Sequence, residues 1–253
     1  MTAATKPPPP PPGGGRGGGS TSHRALALAI WAALGQVRDP ELDEPVTDLD
    51  FVAECRADSA GGVTVQLRLP TYFCAPNFAY LMVADAYDAV AAVPGVRSVT
   101  VELIDHFASA PINKGVAARS GFVGSFRGEA QSELDGLRAD FLRKAVLAGT
   151  DRVCRPLLAA GHSLAELGAL TLGGAPATTD RERLRARRAE LGLPADDDSP
   201  LLIDAETGAE VDVDRVPFAL RRARLTRVSV DANASVCRGL LRERYPQTSE
   251  TQE

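Results

Sequence analysis

The feature that most constrains this chain is a change of hydrophobic period between Val63 and Val90. Val63, Val65, Leu67 and Leu69 alternate with Thr64, Gln66 and Arg68, the period of a half-buried strand. Tyr80, Val83, Tyr87 and Val90 then recur at helical spacing, with Asp85 and Asp88 turned away from them. Pro70 has no N–H to give a sheet ladder and closes the strand. Pro76 suits the first turn of a helix, where a missing N–H costs nothing. Cys74 lies in the joining loop, just before the helix N-terminus, where the positive end of the macrodipole stabilises negative charge. Two readings are open for it: a small buried hydrophobe, as most free cysteines are, or a thiol placed for chemistry.

The flanking segments complete a small sheet. Leu49, Phe51, Ala53 and Cys55 alternate as an earlier strand, and Asp58-Ser59-Ala60-Gly61-Gly62 makes a hairpin turn into the Val63 strand. After the helix, Pro94-Gly95 breaks the chain, and Val99, Val101 and Leu103 read as a third strand. A strand, a helix and a strand in one sheet form a crossover between parallel strands. Cys74 and the Asp105-His106 pair then emerge together from strand carboxyl ends, the edge where open sheets place ligands. The antiparallel first strand starts at the same edge, which brings in the acidic turn Asp39-Pro40-Glu41-Leu42-Asp43-Glu44-Pro45. Asp39, Glu41, Thr71, Cys74 and His106 are therefore expected in one shallow pocket. For this turn the plainer reading is a solvated loop with Asp39 bonding its own backbone, as turn aspartates do.

Composition narrows the function classes. The 253 residues are 44% hydrophobic and 24% charged, as in ordinary soluble globular proteins. A net charge of −5 argues against nucleic acid as a partner. Cys55, Cys74, Cys154 and Cys237 form no CxxC pair, so neither a disulfide framework nor a zinc finger is readable. A reduced, cytoplasmic setting is expected. Ala25–Leu34 is an apolar run behind Arg24 that superficially resembles a signal-peptide core. It is too short to span a membrane, lacks a following A-x-A site, and is expected to be a buried helix with Trp31 in the core.

Pro7–Pro12 and the glycine run after them predict a disordered tail over residues 1–22. In the second half, Asn113 to Ser125 is glycine-spaced, lacks a phosphate-loop lysine, and reads as an irregular connection. Helices are expected over Glu129–Ala148, Asp151–Ala160 and Ser163–Leu170, the last with a Ser163-x-x-Glu166 capping box. Asp180–Leu191 carries Arg181, Arg183, Arg185, Arg187 and Arg188 among acids. It reads either as a basic docking helix or as a solvated helix of mixed ion pairs, the second being the default. A small hairpin near Leu201–Gly208, helices over Pro217–Leu225 and Ala232–Arg244, and a frayed tail at 246–253 follow. Core packing is the expectation for Cys154 and Cys237.

Asp39-Pro40-Glu41-Leu42, Pro45-Val46, Leu49, the alternation into Thr71-x-x-Cys74, and Pro94-Gly95-Val96 with its valine strand together resemble the DUF59 (MIP18-like) family of iron–sulfur cluster assembly domains. The resemblance covers roughly residues 24–106. It implies functional roles for Asp39, Glu41 and Cys74, with Thr71 at the threonine that commonly precedes the cysteine. Ala75 departs from the pattern, in which many members have proline directly after the cysteine. The long form is also similar to members that accompany soluble di-iron monooxygenases.

The expected fold class is α+β. A helix–strand–strand–helix–strand domain with a three-stranded mixed sheet (23–106) is followed by a mostly helical extension (107–245). The leading functional reading is a non-enzymatic accessory factor for iron or iron–sulfur maturation of a client metalloenzyme. Cys74 would be a transient ligand for the metal, with His106 beside it. One cysteine cannot hold a cluster alone, so further ligands would come from a second subunit of a homodimer, a small thiol or the client. Two other readings are weighed: a metal-free adaptor or chaperone for an unfinished client oxygenase, and an enzyme with a Cys74 nucleophile and His106 as base.

Overall fold

Periodicity and structure agree closely in the first part of the chain. The structure, a computed structural model, describes residues 21–246, so the expected tails at 1–22 and 246–253 fall almost wholly outside the described residues. Helix α1 spans Thr21–Leu34, strand β1 Arg38–Asp39 and strand β2 Glu44–Pro45. Strands β3 (Val52–Ala57) and β4 (Gly62–Leu67) are followed by helix α2 (Pro76–Ala91) and strand β5 (Ser98–Leu103). The sheet is mixed and ordered β3-β4-β5, with β3 antiparallel and β5 parallel to β4. Strands β1 and β2 form a separate two-stranded ladder around the acidic turn.

Val63, Val65, Leu67 and Leu69 are buried while Thr64, Gln66 and Arg68 stay half-exposed, which is the alternation expected of a sheet covered on one face. Helix α2 turns Ala79, Met82, Val83, Ala86 and Val90 inward, and α1 adds Ile30, Trp31 and Leu34. Complete burial of a leucine such as Leu67 contributes about 1.5–3 kcal/mol. The Ala25–Leu34 run is thus a core helix at its C-terminal end. Among the described residues, no helix is long and apolar enough to cross a membrane.

Helices α3 (Ser109–Ala117) and α4 (Gly121–Ser125) replace the irregular connection expected over Asn113–Ser125. The glycines there serve packing instead of a phosphate loop. A Cβ on Gly115 would lie 1.7 Å from Ser125 Oγ, so α4 reaches α3 only because Gly115 has no side chain.

The chain divides into two compact units, the first running to Leu134 and resuming at Ser235, the second spanning Asp135–Ala234. The division does not fall at residue 106. In the second unit, helix α5 (Asp135–Ala159) is continuous where two helices were expected. Gly149 lies against Leu184 of the next long helix, so tertiary packing carries α5 across the weak Gly-Thr step, while Thr150 Oγ1 is satisfied within the helix by the Val146 carbonyl at 2.9 Å. Helix α6 (Leu164–Ala169) has the expected capping box of Ser163 and Glu166. Bridges Thr171↔Pro200 and Ile203↔Glu210 stand for the small hairpin.

Helix α7 (Thr179–Glu190) spends its arginines on structure. Arg181 pairs with Glu182 at 2.8 Å and Arg185 with Asp197 at 2.5 Å. Arg188 is wholly buried and donates to the carbonyls of Pro200 and Leu201 at 2.9 and 2.5 Å. Helix α8 (Val216–Arg244) joins the two expected C-terminal helices into one. Its β-branched Thr226, Val228 and Val230 cost only tenths of a kcal/mol each, against pairs of Arg227 with Asp151 and Asp231 at 2.5 and 2.6 Å. Residues of α8 up to Ala234 count with the second unit and those from Ser235 with the first.

Candidate functional site

The loop after β4 is shaped by short-range bonds around Cys74. Thr71 Oγ1 accepts from the Phe73 N–H at 3.2 Å and lies 3.3 Å from Cys74 Sγ. With its oxygen already accepting, the threonine hydroxyl can turn its proton toward the sulfur, a bond that strengthens as the sulfur gains negative charge. Cys74 is half-exposed. It precedes Ala75, which caps α2, and Pro76, which opens it. The extra Ala75 thus lets proline keep the first helical position.

His106 holds this loop from below. Its Nδ1 accepts from the Ala108 N–H at 3.1 Å, so the proton is on Nε2, which donates to the Cys74 carbonyl at 2.7 Å. Burial, followed by the nearby Arg244 charge against the Cys74 bond, holds the imidazole below its ordinary pKa and keeps it neutral. Both ring nitrogens are occupied by backbone. The ring expected as a metal ligand thus bonds backbone on both sides, and it meets the Cys74 carbonyl, not its sulfur.

Asp39 bonds its own backbone as the plainer reading expects, but it is buried instead of lying in a solvated loop. Asp39 Oδ1 accepts from the Glu41 and Leu42 N–H groups, each at 2.9 Å. The side chain is buried, and burial pushes its pKa up to about 6, with the charges of Glu41 and Glu44 adding to the rise and the two backbone bonds opposing it. Asp39 is thus a turn-former whose second oxygen sits in a poorly solvated, acid-rich environment.

Three further elements close on this edge. Asp105, in the loop after β5, is held at φ 52°, a left-handed conformation that non-glycine residues adopt at a cost. Arg244 donates to the carbonyls of Leu69 (3.1 Å) and Asp105, and Tyr245 Oη donates to Asp105 Oδ2 at 2.9 Å. Asn113 on α3 clips the end of β5 through both the N–H and the carbonyl of Leu103, at 2.8 and 3.1 Å. Finally, Tyr72, Phe73 and Phe107 form an exposed aromatic cluster with centroids 5.0–6.3 Å apart. Phe107, Arg244 and Tyr245 are not readable from local spacing, because they reach this loop from distant segments.

Cys237 on α8 also belongs to this region, where sequence suggested only core packing. Its thiol is half-buried and pushed up to about 11, first by burial and then by the charge of acidic groups such as Asp39. Among the described residues, no group of three His, Cys, Asp or Glu side chains is arranged to enclose a metal. Cys154 is buried in the core of the second unit, as expected, and burial pushes its thiol up to about 12.

Residues 28–103 match the model of a family described as iron–sulfur cluster assembly protein. Over that segment the chain is similar to such proteins, in agreement with the resemblance carried by the Asp39 turn and the Thr71-x-x-Cys74 loop. A solved structure described as a domain of unknown function DUF59 from Bacillus anthracis is 24% identical, covering 34% of this chain and 80% of that chain, with a TM-score of 0.31. No curated protein matches the chain.

Proposed function

We propose that this protein is an accessory factor that carries iron, as an ion or an iron–sulfur cluster, to a client metalloenzyme, with Cys74 as a transient ligand of that cargo. The observation that carries the reading is the half-exposed Cys74 sulfur, touched by the Thr71 hydroxyl, in the segment that matches iron–sulfur assembly proteins. A thiolate suits soft or borderline iron, and the neighbouring carboxylates suit harder iron. An open, under-coordinated site fits a carrier, since cargo held by a closed four-ligand cage would be slow to leave. His106 and Thr71 act as positioning residues for the cysteine, and Asp39 and Glu41 supply charge beside it.

The exposed Tyr72, Phe73 and Phe107 surround the cysteine loop with apolar surface of the kind that docks partners. The long-form resemblance points to a soluble di-iron monooxygenase as client. Anaerobic incubation of the full chain with ferrous iron, with and without sulfide, tests the reading. Wild type is expected to retain iron through desalting and to pass it to an apo acceptor, while Cys74→Ser does neither and keeps its fold. If Cys74→Ser still supports full client activation, the protein acts as a metal-free adaptor and the ligand reading is wrong.

A further inference from the structure

Beyond Phe107 the surface of the first unit opens into a groove of about 710 Å³, lined in part by Phe107, Pro111, Lys114, Gly115, Gly124 and Phe126. The groove follows the meeting of α3 and α4, which the two glycines allow: a Cβ on Gly124 would lie 2.9 Å from that of Ser120, as one on Gly115 would collide with Ser125. Phe126 packs on Phe122, with centroids 4.8 Å apart, and Phe122 on Tyr80 of α2 at 5.4 Å, so this ring is held in place. Phe107 is tied to the cysteine loop, because its N–H donates to the Tyr72 carbonyl at 3.2 Å and its ring lies 6.0 Å from that of Phe73. The groove and the aromatic cluster of the Cys74 loop therefore share Phe107 and form one continuous surface. That surface is cationic in an acidic protein. The chain has a net charge of −5, yet from Phe107 to Gly128 it holds no Asp or Glu and carries Lys114, Arg119 and Arg127. Arg119 pairs with Asp88 at 2.6 Å. Lys114 and Arg127 are exposed on the groove and, among the described residues, have no carboxylate partner; the lining acid is Glu129.

We propose that this groove docks an acidic peptide segment of the iron acceptor, its carboxylates at Lys114 and Arg127 and an aromatic or aliphatic side chain against Phe107 and Phe126. The proposal rests on the reading of Cys74 as the carrier of iron and names the chemistry of its partner, on residues outside the matched segment 28–103. Aromatic rings beside a cation are the make-up of protein interfaces, and opposite charge both speeds encounter and orients the docked chain. The net negative charge of the rest of the protein repels an acidic partner, so the stretch from Phe107 to Gly128 is where such a partner is drawn. Through Phe107 a partner seated there continues onto Tyr72 and Phe73, the neighbours of the cysteine in its loop, which is where cargo has to pass.

The test titrates the isotope-labelled full chain with a synthetic peptide that holds one phenylalanine among glutamates, and follows the amide signals of Gly115 and Gly124 by NMR. Three controls run beside it: the same peptide with lysine for glutamate, the same with serine for phenylalanine, and a single-stranded DNA oligomer of equal charge. The glutamate–phenylalanine peptide is expected to shift both glycine signals, less so as salt is raised, and the serine peptide to bind more weakly. Lys114→Glu combined with Arg127→Glu is expected to weaken binding about tenfold, and Lys114→Gln with Arg127→Gln by less. Both double variants should keep the iron retained by wild type, whereas Cys74→Ser should lose the iron and bind the peptide as wild type does. Equal binding of the lysine peptide, equal binding by the charge-reversed variant, or unmoved glycine signals at millimolar peptide refutes the groove and leaves the Cys74 reading standing. Tighter binding of the DNA at the same signals assigns the groove to nucleic acid and refutes the peptide. If the peptide binds as expected while wild type retains no iron, the groove stands and the iron reading falls.

Discussion

Replacing Asp39 with asparagine isolates the cost of one buried carboxylate. The folded chain holds this group neutral up to about pH 6, against 3.8 for the free side chain. Between those values the folded state binds a proton that the unfolded state releases, so the stabilising contribution is fully present below pH 3.8 and is lost as pH rises through 6. At pH 8 the charged, 8% exposed carboxylate then costs about 3 kcal/mol relative to its neutral form. Asparagine keeps an oxygen for the Glu41 and Leu42 N–H groups and is neutral throughout. Its new amide hydrogens need partners, which offsets part of the gain. Asp39→Asn should thus be more stable than wild type by about 1–3 kcal/mol at pH 8 and close to wild type near pH 4. Trp31, the one tryptophan in the sequence, is buried in the first unit, so urea unfolding followed by its fluorescence from pH 4.5 to 8 reads the right unit. Parallel wild-type and variant curves, or a less stable variant at pH 8, would refute the reasoning. If the stabilised variant also fails to deliver iron, Asp39 belongs to the site as well as to the turn.

Iodoacetamide at neutral pH should label Cys74 before the other cysteines, because burial pushes Cys55 and Cys237 up to about 11 and Cys154 to about 12; equal labelling rates in a time course would contradict this. Arg188→Ala should cost the second unit about 3 kcal/mol or more, since the carbonyls of Pro200 and Leu201 lose their donor and a buried volume is emptied. A calorimetric loss below about 1 kcal/mol would show that solvent replaces it freely. Phe73→Ser should leave stability nearly unchanged, the ring being 76% exposed, yet weaken client binding by pull-down or titration; unchanged binding would remove the aromatic cluster from the partner surface.

What the residues announce by themselves is local. The alternation of Val63 to Leu69, the helical stripe behind Pro76, the turn at Asp58 to Gly62 and the capping box at Ser163 all follow from the backbone geometry of neighbours. So does the α+β order of the first part, with Cys74 and His106 following the ends of two parallel strands, because strand direction follows from connection type. Tertiary packing decided the rest. It carried α5 and α8 through Gly149 and Thr226, where propensity suggested breaks, because burial and ion pairs outweigh tenths of a kcal/mol. It turned Arg188 into a buried carbonyl cap, made His106 a support for the Cys74 carbonyl, and fastened Arg244 to the carbonyls of Leu69 and Asp105, far from it in sequence. Spacing along a chain encodes which residues share a helix or strand face. It does not encode which distant face will cover them, since that is chosen by the summed burial and pairing of the whole fold.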